Sequence, residues 1–218
     1  MEQYSIILST FILLTAFVLV AGKRIHSYIN ALRLQGVLIA LNTCLIGIEK
    51  ILRTGRYDVL VVGLIIVALK VVYIPRMLHR TYAGVEYKVE KDFSLNIPFM
   101  ILICCGIVVF NTFTFTAAKL FASASQAVLV INAISVVLIG LFFIISRKKA
   151  IGQIVGLLVI ENGLFVTAMY ASNGMPFIVD MGIFIDLVTA VLILGIMVFK
   201  INTAFESIDT DQMNNLKG

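Results

Sequence analysis

Seven apolar stretches of about twenty residues recur along the chain, separated by short polar connections. They cover roughly 4–22, 33–52, 58–78, 95–115, 125–146, 151–171 and 177–200. At 1.5 Å per residue, about twenty helical residues cross a hydrocarbon core about 30 Å thick. The pattern therefore predicts an all-α integral membrane protein with seven transmembrane helices. The second stretch is the weakest, because Arg33, Gln35 and Asn42 dilute it. The longest polar connection, RMLHRTYAGVEYKVEKDFSLN (76–96), divides the chain into two units. Residues 1–94 form a three-helix unit with its loop, 95–204 a four-helix unit, and 205–218 a tail. The first stretch carries Glu2 before it and Lys23 and Arg24 after it. A signal peptide has the opposite charge order, so an uncleaved first helix is expected.

Composition strengthens this picture. Hydrophobic residues make up 61% of the chain and charged residues 13%, where soluble domains are nearer one half and one quarter. The net charge of +5 does not point to nucleic acid, because the basic residues gather at the ends of apolar stretches. Odd-numbered connections plus the tail hold 12 Lys and Arg, even-numbered connections plus the N-terminus hold 4, and Lys70 lies inside a stretch. The positive-inside rule then places the N-terminus outside and the C-terminus in the cytoplasm of a multi-pass inner-membrane protein. The second connection, with Lys50, Arg53 and Arg56, runs against that order. Helices one to three and five to seven each follow the same sense, with Gln35 and Gln153 opening the two middle helices, as a parallel repeat would have it.

Several chemistries find no support. Cys44, Cys104 and Cys105 lie in apolar stretches with no CxxC spacing, so neither a zinc nor an iron–sulfur site is encoded, and the thiols read as small hydrophobes. His26 and His79 fall one each in basic loops and suggest headgroup-level residues, with no metal or haem site. No GxGxxG, Walker or HExxH pattern occurs. The chain by itself reads as non-catalytic.

Three ionisable residues stand where lipid-facing helices offer them no water. Glu161 is central in stretch six, Asp186 is roughly 14 Å into stretch seven, and Lys70 is roughly 18 Å into stretch three. Such residues are rare at bilayer depth and mark ion paths or partner contacts. An apolar setting favours the uncharged form of any ionisable group, and a group poised between forms suits a proton relay. Relay and static pairing, within the chain or with a neighbouring subunit, both remain open. Asp180 lies near the outer end of stretch seven and reads as solvated or interfacial. Pro75, five residues after Lys70, withholds the N–H that would bond residue 71. That leaves either an opening that admits water beside the amine or an ordinary kink at the helix end.

Asn42, Asn111, Asn132, Asn162, Gln153 and Thr189 lie in the same helices. They serve either to hydrate a path or as interhelical hydrogen bonds, worth about 0.6 kcal/mol each. Asn162 should point roughly 100° from Glu161, toward a different neighbour. Gly152, Gly156 and Gly163 predict close approach of another helix, from this chain or a partner.

The segment GQIVGLLVIENGLFVTAMYASNGMPFIVDMGIFIDLVTAVLILGIMVFKI (152–201), with its IENG and GMP motifs, carries a family resemblance. So do the tail FESIDTDQMNNLKG (205–218) and, more weakly, LKVVYIPRML (69–78). The chain resembles component E of the hydrogenase 4 and formate hydrogenlyase type complexes. Its C-terminal part is similar to the K subunit of complex I and the C subunit of multi-subunit cation/proton antiporters. The resemblance implies a membrane subunit of a complex-I-like, [NiFe]-hydrogenase-type oxidoreductase. It implies antiporter-like membrane subunits, a quinone-subunit-like membrane anchor and cytoplasmic hydrogenase-type subunits as partners. Nickel–iron and iron–sulfur centres would belong to those partners, with no cofactor in this chain. In the K subunit, mid-membrane carboxylates form part of a proton path. Glu161 matches the first by helix and depth and Asp186 the second, although Asp stands where the relative has Glu. Lys70 takes no role from that relative, which is too short to include it.

The expectation is thus redox-coupled proton or Na⁺ translocation through Glu161 and Asp186, with Lys70 near them and Asn162, Thr189 and Gln153 in support. Two alternatives are a purely structural subunit of the same complex and a stand-alone transporter of a small solute or ion. Phe205, Ile208, Met213 and Leu216 in the polar tail suit docking on a cytoplasmic partner or a frayed end.

Overall fold

The computed structural model describes residues 2–55, 57–83, 96–118, 123–147 and 150–171. Every described element is a helix, and six are long and apolar enough to cross a membrane. The seventh stretch, with Asp180, Asp186 and Thr189, lies outside the described residues, as does the tail.

Helix α1, Glu2–Ala21, buries Ser5, Ser9, Ile12, Leu13, Ala16, Leu19 and Val20, a stripe at the helical three-to-four-residue spacing. Helix α2, Ile25–Thr54, runs for 30 residues, or about 45 Å, and starts eight residues before the expected 33. The reason is its buried stripe. Ile25, Tyr28, Ile29 and Leu32 extend the period set by Gln35, Gly36 and Ile39, so Arg24 and Arg33 dilute composition without breaking the packed face. At its far end Gly55 takes φ 67° and donates its N–H to Ile51 O, a left-handed cap that glycine adopts without steric cost.

Helix α3 covers 58–83 in three parts. Asp58–Ile66 is α-helical, Val67–Tyr73 is π-helical and Ile74–Ala83 is α-helical again. Helix α4 is Ile97–Ala118, with Pro98 in the first turn, where its missing N–H has no partner to lose. Helix α5, Ala124–Ser146, is capped by Ser123, whose hydroxyl accepts from Gln126 N. Helix α6 is Ala150–Ala171.

The helices alternate in direction, so one end of the bundle gathers Glu2, Thr54, Ser123 and Ala171. This N-terminal face is opposed by a second face carrying Ala21, Ile25 and Ser146. Helices α1, α2, α5 and α6 pack together, α3 lies against α2, and α4 lies against α5 and α1. Glycine sets the closest approaches. A Cβ on Gly156 would meet Gly140 O at 3.2 Å, and one on Gly163 would meet Val137 N at 2.8 Å. The small residues of α6 are therefore used within the chain, against α5. Gly47 and Gly63 do the same between α2 and α3, against Leu60 and Cys44. Cys104 is buried, Cys44 half-buried and Cys105 exposed, so only Cys104 behaves fully as a core hydrophobe.

Candidate functional site: a charged pair inside the bundle

Lys70 sits in the middle of the π-helical stretch of α3. The widened turn has a local cause. Pro75 offers no N–H, and its ring crowds the carbonyl four residues back in a regular α-helix. The chain ahead of it adopts longer bonds instead, with Ile74 N–H donating to Leu69 O. The effect of Pro75 therefore reaches back to Lys70 and is not confined to a kink at the helix end. Gly36 of α2 lets this turn come close, since a Cβ there would lie 3.2 Å from Lys70 Cβ and 3.3 Å from Lys70 O.

The amine crosses to α6. Lys70 Nζ donates to Glu161 Oε1 at 2.8 Å and to Asn162 Oδ1 at 2.7 Å, and it lies 5.7 Å from the centre of the Phe165 ring. Each side chain of the ion pair is only 4% exposed. Asn162 thus shares Lys70 with Glu161 and, through its Nδ2, also reaches a different neighbour, α2. The amine enters between the two side chains, and each supplies an oxygen.

Asn162 also extends the network. Its Nδ2 donates to Gln35 Oε1 at 2.9 Å, and Gln35 Nε2 donates to Ile12 O at 3.4 Å. An ammonium has donors only. It therefore fixes Asn162 with oxygen toward Lys70, then Gln35 with oxygen toward Asn162, and ends on a carbonyl that can only accept. The order of polar atoms across α3, α6, α2 and α1 follows from the charge on one group.

Beside the pair lies a hollow of about 10 Å³ lined by Leu32, Lys70, Ile74, Leu158, Glu161 and Asn162. That is about the space of one water. Glu161 Oε2 is buried without a protein partner, so the hollow offers a water at least one strong acceptor.

The other polar residues separate from this centre. Gln153 is exposed near the start of α6 and donates to Arg147 O at 3.2 Å, supporting the α5–α6 turn. Gln35 and Gln153, the two marks of a parallel repeat, thus occupy unlike surroundings. Asn111 bonds Ser135, and Asn132 bonds Ser9 and Thr10, so both join helices. Asn42 Nδ2 donates to Tyr170 OH at 2.7 Å. Asp186 and Thr189 lie outside the described residues.

One buried cation is not legible in the sequence pattern. Arg147 reads there as a loop cation, yet it is 2% exposed. It lies over Phe143 at 4.3 Å and Tyr28 at 5.2 Å and donates to Val20 O at 3.0 Å. Nothing in the run Arg147, Lys148, Lys149 singles it out. Gln35 belongs to the network although its signal was present: it is seven residues from Asn42, a spacing that keeps both on one helix face. Among the described residues no group of three His, Cys, Asp or Glu could hold a metal ion. His26 and His79 are exposed, with ring centres 5.2 Å apart, and two side chains do not complete a metal site.

The chain matches no protein-family model and no solved structure. It is 29% identical over 217 residues to an uncharacterized protein of Mycobacterium tuberculosis, covering 94% of this chain and 92% of that protein. It is 24% identical over 149 residues to Hydrogenase-4 component E of Escherichia coli, covering 68% of this chain and 69% of that one. The same figures hold for Hydrogenase-4 component E of Shigella flexneri.

Proposed function

We propose that this chain is a membrane subunit of a complex-I-like, hydrogenase-type oxidoreductase, and that the Lys70–Glu161 pair takes part in redox-coupled proton or Na⁺ transfer. The observation that carries the reading is a charged pair held inside the bundle by two amides, Asn162 on the helix of Glu161 and Gln35 on a third helix. Taking two charges out of water costs several kcal/mol each, and apolar residues of similar volume often serve stability as well or better. Charges kept at this depth despite that cost mark ion pathways. The distant similarity to Hydrogenase-4 component E supplies the kind of assembly.

Under this reading antiporter-like subunits and a quinone-subunit-like anchor flank the chain in the inner membrane. Cytoplasmic hydrogenase-type subunits carry the nickel–iron and iron–sulfur centres. Asp186 would be the second carboxylate of a K-like unit formed by the last three spans, with Thr189 as a supporting polar residue, the N-terminus outside and the tail in the cytoplasm. Electron transfer in the partners would alter the field at the pair. Glu161 would then take up a proton, release its hold on Lys70 and return the proton when the field reverses. No bond other than O–H or N–H changes.

Glu161→Gln is the test. The amide keeps an acceptor for Lys70 at nearly the same position, so the complex should assemble. Coupling of electron flow to a transmembrane ion gradient, measured in membrane vesicles, should fall at least tenfold. Normal coupling would refute the relay. Loss of assembly with no separable effect on coupling would favour the structural reading instead.

A further inference from the structure

A second hollow, of about 380 Å³, opens on the N-terminal face. Glu2, Ser5, Glu49, Lys50, Arg53, Ser125 and Gln126 are among its lining, and Met169 and Tyr170 also border it. Tyr170 OH receives the Asn42 Nδ2 hydrogen bond and lies 3.5 Å from Ser5 O, which ties α2, α6 and α1 together at this level.

Helix α2 links this vestibule to the charged pair. Tyr28, Gln35, Asn42 and Glu49 are seven residues apart, and seven residues advance a helix by about two turns and 10 Å. Glu49 lines the vestibule, Asn42 bonds Tyr170, and Gln35 bonds Asn162 beside Lys70. Tyr28 comes last and donates its hydroxyl to Gly22 O at 3.2 Å. The stripe thus places a polar side chain every two turns through the bundle, with the apolar Ile39, wholly buried, between Asn42 and Gln35.

Its two ends differ. At the second face Arg147 is buried against the rings of Tyr28 and Phe143 and bonded to Val20 O, which fills that end. At the N-terminal face the stripe meets an open hollow. Two buried side-chain oxygens among the described residues lack a hydrogen-bond partner, Asn42 Oδ1 and Glu161 Oε2. Asn42 lies at one end of the interval between Tyr170 and the charged pair, and Glu161 at the other. Each can take a donor, and water is the donor of matching size.

We infer that the Lys70–Glu161 pair exchanges protons with water on the N-terminal face, along this α2 stripe, and that the Tyr170–Asn42 hydrogen bond closes the route. The inference rests on the pair being an ion-transfer site and adds its sidedness and its gate. With the bond broken, about two or three waters at ordinary hydrogen-bond spacing span the roughly 10 Å from Asn42 to Gln35. A hydronium in the vestibule gives up one proton and leaves as water. The carboxylate of Glu161 gains that proton, and the pair passes from neutral to a single positive charge.

Accessibility tests this in the assembled complex in native membranes, with Cys44, Cys104 and Cys105 replaced by alanine. A membrane-impermeant trimethylammonium-ethyl methanethiosulfonate is applied to one side at a time. Gln126→Cys, in the vestibule, identifies the side that is the N-terminal face. Ile39→Cys should react from that same side only, slowly with Tyr170 present and about tenfold faster with Tyr170→Phe, which deletes the gating hydroxyl and keeps the ring. Reaction from the opposite side, or none while Gln126→Cys reacts, overturns the route. An unchanged rate in Tyr170→Phe overturns the gate. These outcomes are independent of Glu161→Gln: a coupled Glu161→Gln complex removes the ion-transfer reading whatever the labelling shows, whereas an uncoupled one with labelling from the wrong side removes only the route.

Discussion

Replacing Lys70 by Met deletes the two bonds to Glu161 Oε1 and Asn162 Oδ1 together with the position over the Phe165 ring. The Met side chain matches the length of the Lys stem, so little volume is lost. What changes is that a carboxylate only 4% exposed loses its counter-charge, and Glu161 Oε2 already lacks a partner. Breaking a buried pair from one side costs about 3–5 kcal/mol. For a chain of this length each kcal/mol moves the melting temperature by about 2–4 °C, so the expected drop is about 10 °C. The assay is thermal unfolding of the detergent-solubilised complex, followed by the fraction remaining soluble. Lys70→Met combined with Glu161→Gln removes the uncompensated charge and should recover at least half of the loss. The reasoning fails if Lys70→Met stays within about 0.5 kcal/mol of the parent, the range of an inconsequential surface change. It fails equally if the double variant is no better than the two single effects added together.

Two further outcomes concern packing. Gly163→Ala places a Cβ 2.7 Å from Val137 Cγ2 and 2.8 Å from Val137 N. Part of that contact is backbone, so the α5–α6 hairpin must separate, at about 1–3 kcal/mol; Gly106→Ala on α4, with nothing within 4 Å, should cost nothing in the same melting assay. Asn132→Leu, which loses the bonds to Ser9 and Thr10, should lower stability by only about 0.6 kcal/mol, and a loss above 2 kcal/mol would mean that Asn132 does more than join helices.

How much of this was legible in the chain depends on the kind of signal. The described spans follow from the lengths of apolar runs, because in lipid only a helix satisfies its own backbone. The start of α2 was misplaced because composition averages over a helix while packing acts on one face, and Arg24 and Arg33 lie off that face. The shared depth of Lys70 and Glu161 followed from counting residues. Their contact did not, because it depends on how α3 is rotated against α6, and the π-helical stretch changes that rotation. Asn162 reaches a neighbour of its own, Gln35 of α2, as the helix angle requires, and it also shares Lys70 with Glu161 because the amine enters between the two side chains. The inward turn of Arg147 is not legible because a basic run at a helix end looks alike whether its first residue turns inward or out.

The seven π-helical residues from Val67 to Tyr73 also change how the length of this helix should be counted. A π turn holds more residues than an α turn, so the stretch behaves as a one-residue insertion accommodated inside a helix. Deleting one apolar residue between Gly63 and Lys70 would rotate position 70 by about 100° relative to the helix ahead of it. The side chain would leave Glu161 and Asn162, while Val, Ala and Leu around it would exchange places at little cost. The number of residues between Gly63 and Pro75 therefore works as a register mark. A descendant of this fold one residue shorter there would keep its membrane span and have no reason to keep a lysine in it.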